Sequence, residues 1–399
     1  MRCLRWPRRC TRMVMMVACC FLLPGCYDAT EVENLNIVVG IGIDETSNHQ
    51  VRVSLEIVKP TKTEQGASSS SQGMKASFIL SSAGTNIDEA IYKFNQFSPR
   101  RMYFPHNAVV VFGKQYAEAG IDRAFDHLDR DRNYRRNELL LVSTRTAREV
   151  LQSPFETQKL SALGLRQLVN QLQHHSEAMR TEQLVVFRQY FEPSHSPLLC
   201  AVDISKVNTP FIAGMGLFNK GKLSLVLPFP SANGLLWMLG NTHQMTVTLP
   251  SQGDGGPEQQ SSIRLLSTHR VVNVQRLGGD FVANIDVSAR AEINHYSESK
   301  NITPEVIASL EKQTEDLMQS EMKDAVRQMQ EKDVDGAQLA SELFREAPQT
   351  WKQIAPQWSD IYPKLKVNTK VHVHIIRSGL SGRPPTSSNT VNGSLPPLE

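Results

Sequence analysis

Four residues near the N-terminus, Leu23-Pro24-Gly25-Cys26, have the types and spacing for one specific covalent reaction. A cysteine preceded by a small residue and, at −3, by a branched apolar one is the pattern of a bacterial lipobox. The thiol takes a diacylglyceryl group, and the small Gly25 lets a peptidase reach the Gly25–Cys26 bond. Pro24 departs from the small or β-branched residue more usual there. Upstream, Met1–Arg12 carries five arginines and no acid, and Met13–Leu23 is an apolar run of 11 residues. As a helix that run spans about 16 Å, roughly half of a ~30 Å hydrocarbon core, so it reads as a signal peptide and not as a membrane span. We read Cys26 as an S-diacylglyceryl cysteine, open to N-acylation after cleavage; the alternative is an ordinary signal peptide followed by an incidental cysteine. At ~0.8 kcal/mol per buried methylene, two or three acyl chains anchor stably where one is marginal.

The rest of the chain offers little other chemistry. No HExxH, CxxC, P-loop or GxSxG occurs after Cys26. Gly40-Ile41-Gly42 lacks the third glycine of a dinucleotide fingerprint and runs into an acidic turn, so it reads as strand glycine beside a close neighbour. His174 and His175 diverge on a helix. His372 and His374 share a strand face opposite valines, which reads as a solvated polar face more readily than as a metal pair. Cys200 sits in the apolar run 198–202 and reads as an inert buried thiol. Asp129–Arg136 interleaves both signs around Tyr134 and reads as a turn laced by Arg–Asp pairs, with a protein-contact role as the sharper alternative. Trp237, Trp351 and Trp358 read as core aromatics. No catalytic residue, metal or cofactor is expected.

Charge supports an exported protein without a nucleic-acid partner. The formal net charge of +3 comes from the leader, whose removal leaves 38 basic residues against 40 acidic. With 399 residues, 40% of them hydrophobic, the chain is neither polytopic nor mostly disordered.

The elements that must carry these residues follow from periodicity. Leu35–Asp44 and Val51–Val58 read as a hairpin, the second strand with Val51, Val53, Leu55 and Ile57 on one face. A loop at Thr61–Gly73 precedes a strand at Ala76–Ser82 and a helix at Asn86–Phe97. Strands follow at Ala108–Phe112 and Glu138–Ser143, and helices at Lys114–Leu128, Thr146–Leu151 and Lys159–Leu172. The Pro-containing stretch Phe191–Pro197 marks the expected domain boundary. Beyond it come strands at Phe211–Asn219, Leu223–Leu227, Leu235–Met238, Gln244–Leu249, Ser262–Leu266, Val271–Gln275 and Phe281–Ile293, with a loop at Gln252–Gln260. A long helix then opens at Thr303 (N-cap) and Pro304 (N1), with its apolar face expected to pack on its own sheet. Shorter helices around Gly336–Glu346 and Thr350–Trp358, a strand at Lys366–Arg377 and a Pro-rich tail complete the chain. The expected organisation is an α+β chain divided into a signal peptide (1–25), an N-terminal domain (26–195), a C-terminal domain of sheet plus long helix (196–378) and a disordered tail (379–399).

Gly25–Asp44, Arg101–His106, Ala117–Ile121, Leu128–Asp131, Gly214–Lys220, Gly234–Gly240, Val334–Gly336, Pro348–Trp351 with Trp358, and Val371–Gly379 form a series of blocks. In this order they resemble the Ger(x)C family, the lipoprotein C subunits of GerA-type spore germinant receptors. Gly25-Cys26-Tyr27-Asp28 through Gly40-Ile41-Gly42-Ile43-Asp44 is similar to the family's N-terminal signature, with Tyr27 where Trp is usual. Arg101–His106, Ala117–Ile121 and Leu128–Asp131 resemble its second block. Gly214–Phe218 with Lys220 resembles a Gly-x-Ala-x-Phe strand in which Gly216 replaces alanine, and Gly234–Gly240 resembles the next block. Val334-Asp335-Gly336, Pro348–Trp351, Trp358 and Val371–Gly379 resemble the C-terminal one, although Gly336-Ala337-Gln338 departs from Gly-Phe-Gly. The resemblance implies a multidomain α+β fold of antiparallel and mixed sheets flanked by helices. It also implies a lipid-anchored, non-catalytic subunit on the outer leaflet of the inner spore membrane, beside polytopic A and B subunits. Cys26 is the one site residue it carries over. A different expectation is a solute-binding lipoprotein of an envelope transport system, although the strand-rich second half shows no duplicated βαβ lobe. An envelope hydrolase is the third and weakest, for want of a nucleophile or metal set.

Overall fold

The computed structural model describes residues 31–59, 76–240, 242–249, 260–296 and 302–377. The leader with Gly25 and Cys26, the loop at 61–73, nearly all of the loop at 252–260 and the C-terminal tail lie outside them. The strands are β1 Leu35–Glu45, β2 Val51–Val58, β3 Ser77–Gly84, β4 Arg101–Tyr103, β5 Val109–Phe112, β6 Leu139–Ser143, β7 Leu198–Ile204, β8 Pro210–Asn219, β9 Lys222–Pro228, β10 Met245–Thr248, β11 Ser262–Leu277, β12 Asp280–His295 and β13 Lys366–Arg377. The helices are α1 Ile87–Phe97, α2 Lys114–Ala119, α3 Asp122–Arg130, α4 Ala147–Gln152, α5 Ser161–His174, α6 Gln183–Phe191, α7 Ser231–Leu239, α8 Pro304–Glu331, α9 Leu339–Glu346, α10 Pro348–Ile354 and α11 Trp358–Ile361.

Among the described residues two mixed sheets carry the fold. The larger runs β3-β2-β1-β5-β6-β7-β8-β9, with the short β4 also pairing β1; the smaller runs β10-β11-β12-β13. In the larger sheet β1, β5, β6 and β7 are mutually parallel neighbours and the outer strands antiparallel. The parallel centre is buried on both faces, as such strands must be. Val110, Phe112, Leu140 and Val142 point into one core with α1, α2, α3 and α6. Val109, Val111, Leu139 and Leu141 point into another with α4 and α5, and this second core continues into the smaller sheet and α8. The expected 195/196 boundary therefore falls inside a continuous sheet, since β6 and β7 pair across it.

The reading of Gly40 and Gly42 has a specific cause. A Cβ on Gly40 would lie 2.7 Å from Ala162 Cβ, and one on Gly42 would lie 3.1 Å from Ala147 Cβ. The two glycines let α4 and α5 seat directly on β1. Asp44 and Glu56, buried on the neighbouring strands β1 and β2, then cap those helices. Ala147 N and Arg148 N donate to Asp44 (2.7 and 3.1 Å), and Ser161 N and Ala162 N donate to Glu56 (2.9 and 2.7 Å). Each carboxylate satisfies helix N-terminal amides that have no partner within the helix.

Several elements differ from the sequence reading. The helix expected over Lys114–Leu128 is two helices, broken at Gly120, whose φ of 131° lies outside what other residues adopt. Leu235–Met238, expected as a strand, belongs to α7. A short apolar run suits either element, and burial nearly all round makes this one a core helix. Gly234 lets α7 touch α8: a Cβ there would lie 2.4 Å from the Glu321 carbonyl oxygen. The strands expected at Ser262–Leu266 and Val271–Gln275 are one strand of 16 residues with a register shift near Ser267. The long helix begins as expected, with Val306 N donating to Thr303 Oγ1, and buries Leu310, Met318, Met322, Ala325, Val326 and Met329.

Candidate interaction site

Three regions stand out: the start of β1, the buried join between the two halves of the chain, and the cleft beside α6. At the first, Glu31 is the first described residue, and a short 3₁₀ turn, Val32–Asn34, leads into β1. Val32, Leu35, Ile37, Ile91, Arg101, Tyr103 and His106 line a cleft of about 670 Å³ beneath it. The cleft forms because β4 pairs β1 only over Leu35–Ile37 before the chain turns into β5. Arg101–His106, singled out by the sequence, thus lies beside Val32, Leu35 and Ile37. Asn36 tethers that region by donating to Ser98 Oγ at 2.8 Å.

The second region centres on Asp335. This fully buried carboxylate accepts from Leu339 N and Ala340 N (both 2.8 Å) and from Ser194 Oγ (3.1 Å). Ser194 Oγ also lies 2.9 Å from Ser341 Oγ. A residue of the interdomain stretch is thereby locked to the start of α9. Burial pushes the Asp335 carboxyl up to about 6 against the pull of these donors. Trp358 Nε1 lies near enough to Asp335 to favour its charged form yet closes no hydrogen bond among the described residues. Trp351 packs edge to face on Trp358 (ring centroids 5.4 Å apart), and Trp358 lies tilted against Tyr362 (6.1 Å). They are core aromatics, as is Trp237. Gly336 brings this block against β8: a Cβ would lie 2.6 Å from Leu217 Cδ2. The family-like blocks at Gly214–Phe218 and Val334–Gly336 are therefore packing partners.

A third region, unmarked in the sequence reading, is the cleft between α5–α6 and α7–β10, about 620 Å³ in volume. Helix α6 itself was missed, because Gln183–Phe191 mixes polar and apolar residues without a clean period. Its signal lay in Leu184, Arg188 and Phe191, spaced four and three residues apart on one face.

The remaining candidates are structural. The Cys200 thiol is buried in β7 and pushed up to about 12 by that burial. His372 and His374 are exposed on β13 near Glu315 and Glu311. Arg136 pairs with Asp129 (2.9 Å) and Arg130 with Asp126 (2.6 Å), so Asp129–Arg136 is the charge-laced turn that its composition indicates. Glu138 is buried beneath this turn, accepts from Asn107 Nδ2 at 2.9 Å, and is pushed up to about 7 by burial. Among the described residues no group of three or more His, Cys, Asp or Glu side chains is arranged to hold a metal, and no helix is long and apolar enough to cross a membrane. Gly25 and Cys26 lie outside the described residues.

Comparison with known proteins follows this geometry closely. Residues 28–204 match the family model described as the spore germination protein N-terminal domain, and residues 213–379 match the one described as spore germination B3/GerAC like, C-terminal. The chain is 24% identical to spore germination protein KC of Bacillus subtilis (strain 168), across 94% of this chain and 98% of that protein. It is 23% identical to spore germination protein B3 of the same organism, across 92% and 97%. The crystal structure of the GerBC protein shares the fold, with a TM-score of 0.54 at 17% identity over 84% of this chain and 97% of that one.

Proposed function

The chain belongs to the Ger(x)C family of spore germination proteins, and from that premise we propose that it is the lipid-anchored C subunit of a receptor through which a bacterial spore responds to nutrient germinants. The observation that carries this reading is the tiling of both family models along the chain in order, the first beginning two residues after Cys26. Cys26 is the attachment point: the leader is cleaved after Gly25 and the new N-terminal cysteine carries acyl chains. The body then sits on the outer leaflet of the inner spore membrane. Five peptide units between Cys26 and Glu31 span at most about 18 Å, so the cleft beside Val32 stays within that distance of the headgroups. The subunit is non-catalytic and works by contact with polytopic A and B subunits. Sharing a membrane raises the local concentration of each partner, so modest contacts suffice.

Intact mass of the membrane fraction tests the anchor. Wild type should begin at Cys26 and carry acyl chains, while Cys26→Ala remains an unlipidated precursor; an unmodified chain cleaved elsewhere would remove the tether. Deleting the chain in a strain without a redundant receptor tests the role. Germination on nutrients should be lost with vegetative growth intact, and normal germination would overturn the reading.

A further inference from the structure

Helix α6 carries an exposed stripe beside the cleft between the two halves of the chain, in which Phe191 meets only the ring edge of Tyr190 among the aromatic side chains. Leu184 is 54% exposed and Phe191 77% exposed, large values for apolar side chains on an ordered helix. Arg188 lies between them on the same face, since residues four and three apart on a helix fall within a narrow arc. The Arg188 guanidinium makes no hydrogen bond or ion pair among the described residues, and it also forms part of the cleft wall. The cleft floor is apolar, with Met179, Val185 and Leu236. Its charged lining is all of one sign: Arg180 and Arg188, with the imidazoles of His174 and His243 and no carboxylate. Arg180 is already paired with Glu182 at 3.2 Å, which leaves Arg188 as the uncommitted cation.

We propose that this cleft and the α6 stripe together form the docking site for an amphipathic helix of a partner protein, one whose apolar face is flanked by carboxylates. Two features select that occupant. A small molecule confined to the cleft would leave Phe191 and Leu184 bare, so the occupant must extend over the helix as well. The cleft lining holds cations and no carboxylate, and with Glu182 outside it committed to Arg180, the unpaired Arg188 favours an anionic complement. Phe191, Met179 and Arg188 are of the types enriched at interface cores, where a few aromatic and arginine side chains dominate the affinity, and an apolar groove of this kind suits the apolar face of a helix. The inference rests on the receptor reading, because it takes the partner to be one of the polytopic subunits.

The test uses the full-length, membrane-bound chain. A photo-crosslinking amino acid placed at Leu184 or Phe191 should join the chain to a polytopic subunit, through a segment containing Asp or Glu. The same probe at Val207, exposed elsewhere, should not. Arg188→Glu should lower co-isolation of that subunit about tenfold while Arg188→Lys retains it. The positions are on the surface, and a thermal melt of each variant separates misfolding from lost docking. If the subunits co-isolate with the chain but neither probe crosslinks above the Val207 control, the docking site is wrong and the receptor reading stands. Crosslinking only to a second copy of this chain, or to lipid, overturns the docking site in the same way. If no polytopic subunit co-isolates with wild type, both readings fall.

Discussion

Strands β5 and β13 differ in what lies on each side of them. In β5 every residue from Val109 to Phe112 is fully buried, with alternate side chains entering two separate cores. In β13 burial alternates: Val371, Val373 and Ile375 face α8, while Lys370, His372 and His374 face outward. Both strands pair in parallel with a neighbour, so strand direction alone does not set the pattern. Layering does. The large sheet is sandwiched between helical layers, whereas the small sheet has α8 on one face and an open, polar other face. The edges also differ. Val373 N donates to Glu315 and Ile375 N to Glu311 (3.1 and 2.7 Å), and Gln319 Nε2 donates to the Thr369 carbonyl (2.6 Å). A stripe of α8 side chains, four residues apart, occupies the place of a fifth strand and keeps the edge from pairing with another chain.

Charge insertion breaks this contrast most directly. Val110→Asp and Val111→Asp should both unfold the protein, each costing more than about 4 kcal/mol for an unpaired buried carboxylate. On β13, Val373→Asp should do the same while His372→Asp stays within about 0.5 kcal/mol. Urea titrations followed by circular dichroism separate the outcomes, and a tolerated Val110→Asp would deny that the large sheet is covered on both sides. Next in size, Gly234→Ala should cost about 3 kcal/mol, because the added Cβ meets α8 backbone that cannot yield. A midpoint shift below a third of that would show that α7 and α8 slide apart freely.

Asp335→Ala should cost about 2–3 kcal/mol by leaving two helix amides and the Ser194 hydroxyl without their acceptor, and limited proteolysis near Phe191–Pro197 should quicken. Unchanged cleavage there would remove Asp335 as the lock between the two halves. A smaller effect sharpens the picture around Glu138. Its carboxyl titrates near 7 in the folded chain against an ordinary value of 4.5, so the fold holds that proton to higher pH than the unfolded chain does. Stability from this group is therefore fully present below pH 4.5 and lost as pH rises through about 7. Glu138→Gln, which stays neutral, should lose about 2 kcal/mol less than wild type between pH 5 and pH 8. Parallel stability profiles for the two proteins would sink the assignment. Smallest, Glu311→Ala with Glu315→Ala should cost about 1 kcal/mol and promote self-association through the uncovered β13 edge, seen by light scattering.

Much of this organisation was legible in the residues themselves. The β1–β2 hairpin, α1 with its Asn86 cap, α8 with Thr303 and Pro304, and β13 all declare themselves through period and capping, because amphipathic elements half-exposed to water must alternate. The lipobox pattern on which the proposed anchor rests, Leu23–Cys26, is likewise local and complete within four residues, and lies outside the described residues. What stayed hidden depends on neighbours distant in sequence. The run Leu235–Met238 resolves into helix only because α8 and the small sheet surround it, and all-round burial erases periodicity. The join of β6 to β7 across Phe191–Pro197 is a pairing no composition shift announces. Asp44, Glu56 and Asp335 read as ordinary acids until the fold sets each against helix amides, over a hundred residues away for the first two. The stripe on α6 had the right spacing from the outset, but spacing cannot say which face of a helix is left bare. Local geometry determines where the chain turns and where its helices are capped; only packing decides which surfaces remain free to meet a partner.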